Sequence, residues 1–128
     1  MTEEIQKKLQ DEINNYKQTQ KEYQKALTNR QQLDGQLNEN TVVNEELNCL
    51  KSGNEVYKLI GPVLIKQELV EAKENVKKRM EFITAEMKRT DDVIAVLEKK
   101  QENQRANLEK LQQSFQAMQA KQIQKSKS

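Results

Sequence analysis

The chain has 128 residues, 34% of them hydrophobic and 33% charged, with no Trp and no His. That is too little apolar material for a compact globular core, and such a composition belongs either to long solvated helices or to disorder, which periodicity must separate. A net charge of +2 exerts no strong pull on nucleic acid or an anionic membrane, and the chain has no apolar run long enough to span one.

Residues 1–50 read as a helix. Met1-Thr2-Glu3-Glu4 lacks the basic and apolar regions of a signal peptide, so a soluble, unprocessed chain is expected. Leu9, Ile13, Tyr16, Tyr23, Leu27 and Leu37 keep a loose heptad frame, and Leu47 and Leu50 follow after a phase shift near Leu33. Acid-then-base pairs four residues apart, such as Glu4/Lys8 and later Glu74/Lys78, support the exposed faces. Cys49 is the one cysteine, so no internal disulfide can form and a reducing compartment is compatible.

The stretch from 51 to 67 breaks the helical frame. After the loop Lys51-Ser52-Gly53-Asn54 come two short runs of strand-favouring residues, Val56, Tyr57, Leu59, Ile60 and then Val63, Leu64, Ile65, divided by Gly61-Pro62. The pattern predicts a β-hairpin. Both faces of each strand carry apolar side chains, and two isolated strands are only marginally stable. The hairpin is therefore an assembly element, expected to complete a sheet or barrel with hairpins of other chains.

Residues 68–124 predict a second helix, with a short tail at 125–128. One set of core positions is Leu69, Val76, Ile83, Thr90, Leu97, Gln104, Leu111 and Met118; the other is Lys73, Met80, Met87, Ile94, Gln101, Leu108, Phe115 and Gln122. Most are apolar, a coiled-coil signature, with Gln101 and Gln104 marking a wet, weaker segment. Folding the chain back at the hairpin sets position i against roughly position 117 minus i, which opposes Leu9 to Leu108, Tyr23 to Ile94 and Leu37 to Met80. The predicted fold is mainly α, one domain over 1–128: a long antiparallel two-helix coiled coil, on the order of 70 Å, joined by one β-hairpin that assembles with others into an intersubunit sheet or β-barrel, the barrel being what the resemblance given below implies.

Catalysis has little foothold. The absence of His removes the common nucleophile–base arrangements and the commonest metal ligand, Cys49 has no base near it in sequence, and Glu45-Glu46 and Asp91-Asp92 read as solvated faces. Gly35, Gly53 and Gly61 form no phosphate-binding pattern. The basic clusters Lys77-Lys78-Arg79, Lys99-Lys100 and Lys121 to Lys127 are short, and all but the last are interleaved with acids, so they read as solvated faces as well. No enzyme activity, cofactor, metal, nucleic acid or membrane partner is expected.

A helix, one hairpin reading VYKLIGPVLIKQ and a returning helix resemble the β-type subunits of prefoldin, through IQKKLQ (5–10), ENTVVNEEL (39–47), GPVLIKQEL (61–69) and FITAEMKR (82–89). The resemblance implies a hexameric cochaperone of two α-type and four β-type subunits, whose hairpins build a double β-barrel and whose coiled coils hold non-native protein at their tips. It further implies capture of unfolded actin and tubulin and their transfer to the cytosolic chaperonin without ATP. At the open end of the arm lie Ile5, Leu9, Leu111, Phe115, Met118 and Ile123. Leu9 and Leu111 fit an ordinary heptad core, whereas the fold-back rule leaves Phe115 and Met118 without opposite numbers and partly exposed, as a client-binding tip requires. The client-contact set so implied is Ile5, Leu111, Phe115, Met118 and Ile123. The rival reading is a tether, in which the hairpin oligomerises and the arms dock a fixed folded partner.

Overall fold

The computed structural model describes residues 2–51 and 53–127; Met1, Ser52 of the predicted loop and Ser128 of the predicted tail lie outside the described residues. Four elements follow in order: α1 (Thr2–Cys49), β1 (Val56–Ile60), β2 (Val63–Gln67) and α2 (Leu69–Lys127). The second helix thus runs past position 124, where the sequence reading ends it. Glu3 and Glu4 in the first turn of α1 and Glu71 in that of α2 place negative charge where the helix dipole favours it. Beyond α1, Lys51 and Asn54 bond reciprocally: the Asn54 amide donates to the Lys51 carbonyl at 2.9 Å, and Asn54 Oδ1 accepts from the Lys51 amide at 2.7 Å.

Contacts divide the chain into two compact units, one of Thr28–Asp91 and one of Met1–Leu27 with Asp92–Ser128. In the unit that carries the hairpin, Leu47, Ala72 and Val76 form a small buried cluster against which Leu50, Val56, Leu69 and Met80 pack. Arg30 Nε donates to Asp91 Oδ1 at 2.7 Å across the helices of this unit. In the other unit, Leu97 and Gln101 are buried and Thr19 is 1% exposed. The Tyr23 hydroxyl there donates to Glu98 at 3.1 Å, and Arg105 Nε donates to the Tyr16 hydroxyl at 3.2 Å.

Burial along α2 follows the predicted frame as far as Met118, whereas Gln122, its last expected core position, is exposed. Val76, Ile83, Thr90 and Leu97 are buried, and Met80, Met87, Ile94, Leu108, Leu111, Phe115 and Met118 are half-buried. On α1 the structure corrects the expected phase shift near Leu33. Ile5, Glu12, Thr19, Ala26, Leu33, Asn40 and Leu47 form one unbroken row of covered positions, and Leu9, Tyr16, Tyr23, Arg30, Leu37 and Asn44 form the other. The frame is constant; its occupants change from apolar to polar. Arg30 can hold such a position because it is long enough for its guanidinium to reach Asp91. Thr19 can do so because its hydroxyl donates to the carbonyl of Asn15 at 3.0 Å and needs no partner on α2.

The fold-back register is also corrected. Cross-helix partners are Tyr23 with Glu98, Tyr16 with Arg105, Arg30 with Asp91 and Asn29 with Thr90, so position i faces roughly position 120 minus i, almost one helical turn from the expected pairing. Matching apolar to apolar residues ignored these polar pairs, which hold the register. Of the wet, weaker segment expected at Gln101 and Gln104, the exposure of Gln101 is corrected, since it is 8% exposed, while Gln104 is half-buried with its Oε1 buried and without a hydrogen-bond partner among the described residues. A buried polar atom left without a partner costs about 1–3 kcal/mol, while a polar core position restricts register. Replacing Gln101 and Gln104 together by Leu should raise the thermal midpoint of the helices, read by circular dichroism at 222 nm; an unchanged or lowered midpoint would show that the two amides are already satisfied.

Candidate functional site

The hairpin is built on a two-residue connection. Ile60 pairs with Val63, Leu59 with Leu64 and Tyr57 with Lys66 in an antiparallel ladder. Gly61 has φ of 58°, and Pro62 is locked near −65°, which together give the φ signs of a type II′ turn. No other order of the two residues serves, since Pro cannot take the positive φ of the first position. β1 pairs only with β2 among the described residues, and both outer edges are open.

Alternation along the strands puts Tyr57, Leu59, Leu64 and Lys66 on one face and Val56, Lys58, Ile60, Val63, Ile65 and Gln67 on the other. Leu59 is 68% exposed, Leu64 64% exposed, and Tyr57, Ile60, Val63 and Ile65 are exposed as well. Full burial of one such aliphatic side chain is worth about 1.5–3 kcal/mol, so this cluster stores a large driving force for association. Val56 differs from the other predicted assembly residues: it is half-buried against the chain's own Leu47–Ala72–Val76 cluster and fixes the hairpin to the helices.

Glu55 anchors the polar rim. Its carboxylate accepts from the Tyr57 hydroxyl and lies 3.7 Å from Lys66 Nζ, an exposed ion pair that adds little stability. The hydrogen bond to Glu55, with a smaller desolvation effect, raises the Tyr57 phenol above its ordinary 10.0. Because the folded value is the higher one, the stabilisation is present below the ordinary Tyr range and is lost as pH rises through the folded value.

At the free ends of the helices, Ile5, Leu111, Phe115 and Met118 are half-buried, and Ile123 is 56% exposed. The expectation that Phe115 has no opposite number is corrected by the register, which brings Ile5 level with Phe115 and carries α1 almost one turn further along α2. Of the five predicted tip residues, Ile123 alone is more than half exposed, so the structure separates it from the four that continue the seam.

Sequence reading overlooked a further exposed group. Phe82 is 66% exposed on α2, beside the buried seam residue Ile83. The available signal was an aromatic residue outside the heptad frame. Cys49 is exposed, and the described residues contain no cluster of three His, Cys, Asp or Glu able to hold a metal ion. No described helix is long and apolar enough to cross a membrane.

Residues 10–126 match the family described as "Prefoldin subunit". The chain is 52% identical over 120 residues to prefoldin subunit 6 of Homo sapiens, covering 94% of this chain and 93% of that one. It is 44% identical over 117 residues to prefoldin subunit 6 of Arabidopsis thaliana, covering 91% of each. The crystal structure of the prefoldin beta subunit from Thermococcus strain KS-1 superposes with a TM-score of 0.74 at 18% identity, over 80% of this chain and 90% of that one, a likeness of fold.

The environment of Tyr57 supplies a direct test of the rim geometry. Glu55→Gln should bring the raised Tyr57 ionisation back toward 10.0 in a spectrophotometric pH titration; a titration curve identical to that of the unaltered chain would place the Tyr57 hydroxyl elsewhere.

Proposed function

The chain belongs to the prefoldin family, and we propose that it serves as a β-type subunit of a hexameric, ATP-independent cochaperone that holds unfolded clients such as actin and tubulin for the cytosolic chaperonin. The family implies assembly with other prefoldin subunits. The observation that carries the reading is a hairpin whose large apolar side chains stand in solvent on both faces while its strands pair only with each other. A single hairpin suits the β-type role. Its seven assembly residues are Val56, Tyr57, Leu59, Ile60, Val63, Leu64 and Ile65, with Val56 acting from the inner side.

The role assigned to the complex is non-enzymatic and cytoplasmic. Several weak contacts at the free ends act on one client and gain from effective concentration. Ile123 is the foremost contact, with Ile5, Leu111, Phe115 and Met118 presenting their uncovered portions. Partial cover suits reversible holding, since a fully open apolar tip would also associate with itself.

Replacing Leu59 and Leu64 by Asp should abolish incorporation into the hexamer while preserving most of the helical signal; native mass spectrometry with an unchanged hexamer would remove the hairpin from assembly. At the other end, Ile123→Ser should weaken suppression of denatured-actin aggregation by reconstituted hexamers without altering their mass or melting. Phe115→Ser with Met118→Ser should weaken holding and also lower the melting midpoint, because these residues are half-buried. Holding untouched by both sets would favour the tether reading, in which the arms dock one folded partner.

A further inference from the structure

In the unit that contains the free ends, the seam changes character partway along. Tyr16 and Thr19 on α1 stand level with Gln104 and Gln101 on α2, in the register that the Arg105–Tyr16 bond fixes. Thr19 is 1% exposed and Gln101 8%, so the layer is buried as deeply as the neighbouring Leu97. Its buried polar groups nevertheless do little for one another. Thr19 donates within its own helix to the carbonyl of Asn15, and Gln104 Oε1 has no partner among the described residues. The layer thus lacks both the apolar cohesion of a heptad core and a hydrogen-bonded lock between its buried members. On its free-end side the seam is apolar again, with Ile5, Leu9 and Ile13 on α1 and Leu108, Leu111 and Phe115 on α2, all half-buried. Glu12 stands among them, also half-buried, without an ion pair among the described residues. Fraying from a helix end normally proceeds turn by turn, each turn held by the core behind it. Here that core is interrupted, and the block beyond the layer is only weakly coupled to the rest.

We propose that the helices part as one step at the Thr19–Gln101–Gln104 layer, and that the seam side chains so uncovered, Leu9, Ile13 and Leu108, form a further client site for an apolar segment of a non-native chain. The inference rests on the reading of the free ends as the client contact, and extends it from side chains exposed at rest to side chains exposed only on opening. The client segment takes the place of the opposite helix as cover for the seam. A chain that binds only the parted form shifts the equilibrium toward it, so capture and opening favour each other. Between clients the block closes, which limits association of one apolar end with another.

The test uses reconstituted heterohexamers in which this chain carries photo-leucine in place of leucine, irradiated with denatured actin. Leu9 and Leu27 are both half-buried at rest and belong to the same unit, on opposite sides of the layer. Crosslinks to actin should form at Leu9 and Leu108 and be about tenfold scarcer at Leu27; equal yields on the two sides would overturn the proposal. Replacing Gln101 and Gln104 together by Leu joins the two apolar stretches. The change should slow hydrogen exchange of the amides of 5–13 and 108–115 about tenfold and cut the crosslinks at Leu9 and Leu108 by a similar factor. Slower exchange with undiminished crosslinks would show that clients need no opening, and the proposal would fall. If the substitutions do not slow exchange, the unaltered hexamer decides: a step in exchange rate at the layer upholds the proposal, and a smooth gradient from the free ends inward removes it. A hexamer that leaves denatured actin to aggregate would sink the chaperone reading itself, whereas one that holds actin but fails these tests loses only the opening.

Discussion

A two-stranded antiparallel sheet has two faces and two edges, and among the described residues of this one only the pair at its base, Val56 and Gln67, is half-buried. Almost every other property follows from that shortage. Gly61-Pro62 closes the turn in two residues and leaves no loop that could fold over the apolar faces. The helices bury a modest core, in which Leu47, Ala72, Val76, Ile83 and Leu97 are the buried apolar residues among those described. Such a chain gains its main apolar burial from association, which is the physical content of its place in a family of assembling subunits.

The seam between the helices shows a second economy. Its polar occupants are matched in place: Arg30 with Asp91, Tyr23 with Glu98, Tyr16 with Arg105. Each pair is exposed enough that its contribution to stability is small. Their importance lies in alignment, because an apolar ladder alone would tolerate sliding by a heptad, whereas a cation or hydroxyl moved one turn loses its partner.

Much of this was legible in the sequence because the relevant signals are local or periodic. The heptads of α2, the helix-breaking Gly61-Pro62 and the strand-favouring runs beside it fixed the fold class and the position of the hairpin. Register was less legible, since it depends on pairs such as Tyr23 and Glu98 that lie 75 residues apart and carry no periodic mark. The apparent phase shift near Leu33 had the same origin: hydrophobicity traces the seam only where the seam is apolar, and Arg30, Asn40 and Asn44 are not. The exposed Phe82 was visible as a residue but not as a surface, because its basic surroundings come partly from Lys58 on a strand.

The antiparallel pairing also orders the events of folding. Cross-helix contacts span 61 residues at Arg30 and Asp91, 75 at Tyr23 and Glu98, and 89 at Arg105 and Tyr16. Once the hairpin has formed, each contact needs only a short further loop to close, so the pairing advances like a zipper from the turn outward. The free ends close last and reopen first. The segment proposed for client capture is therefore also the one whose pairing is renewed most often.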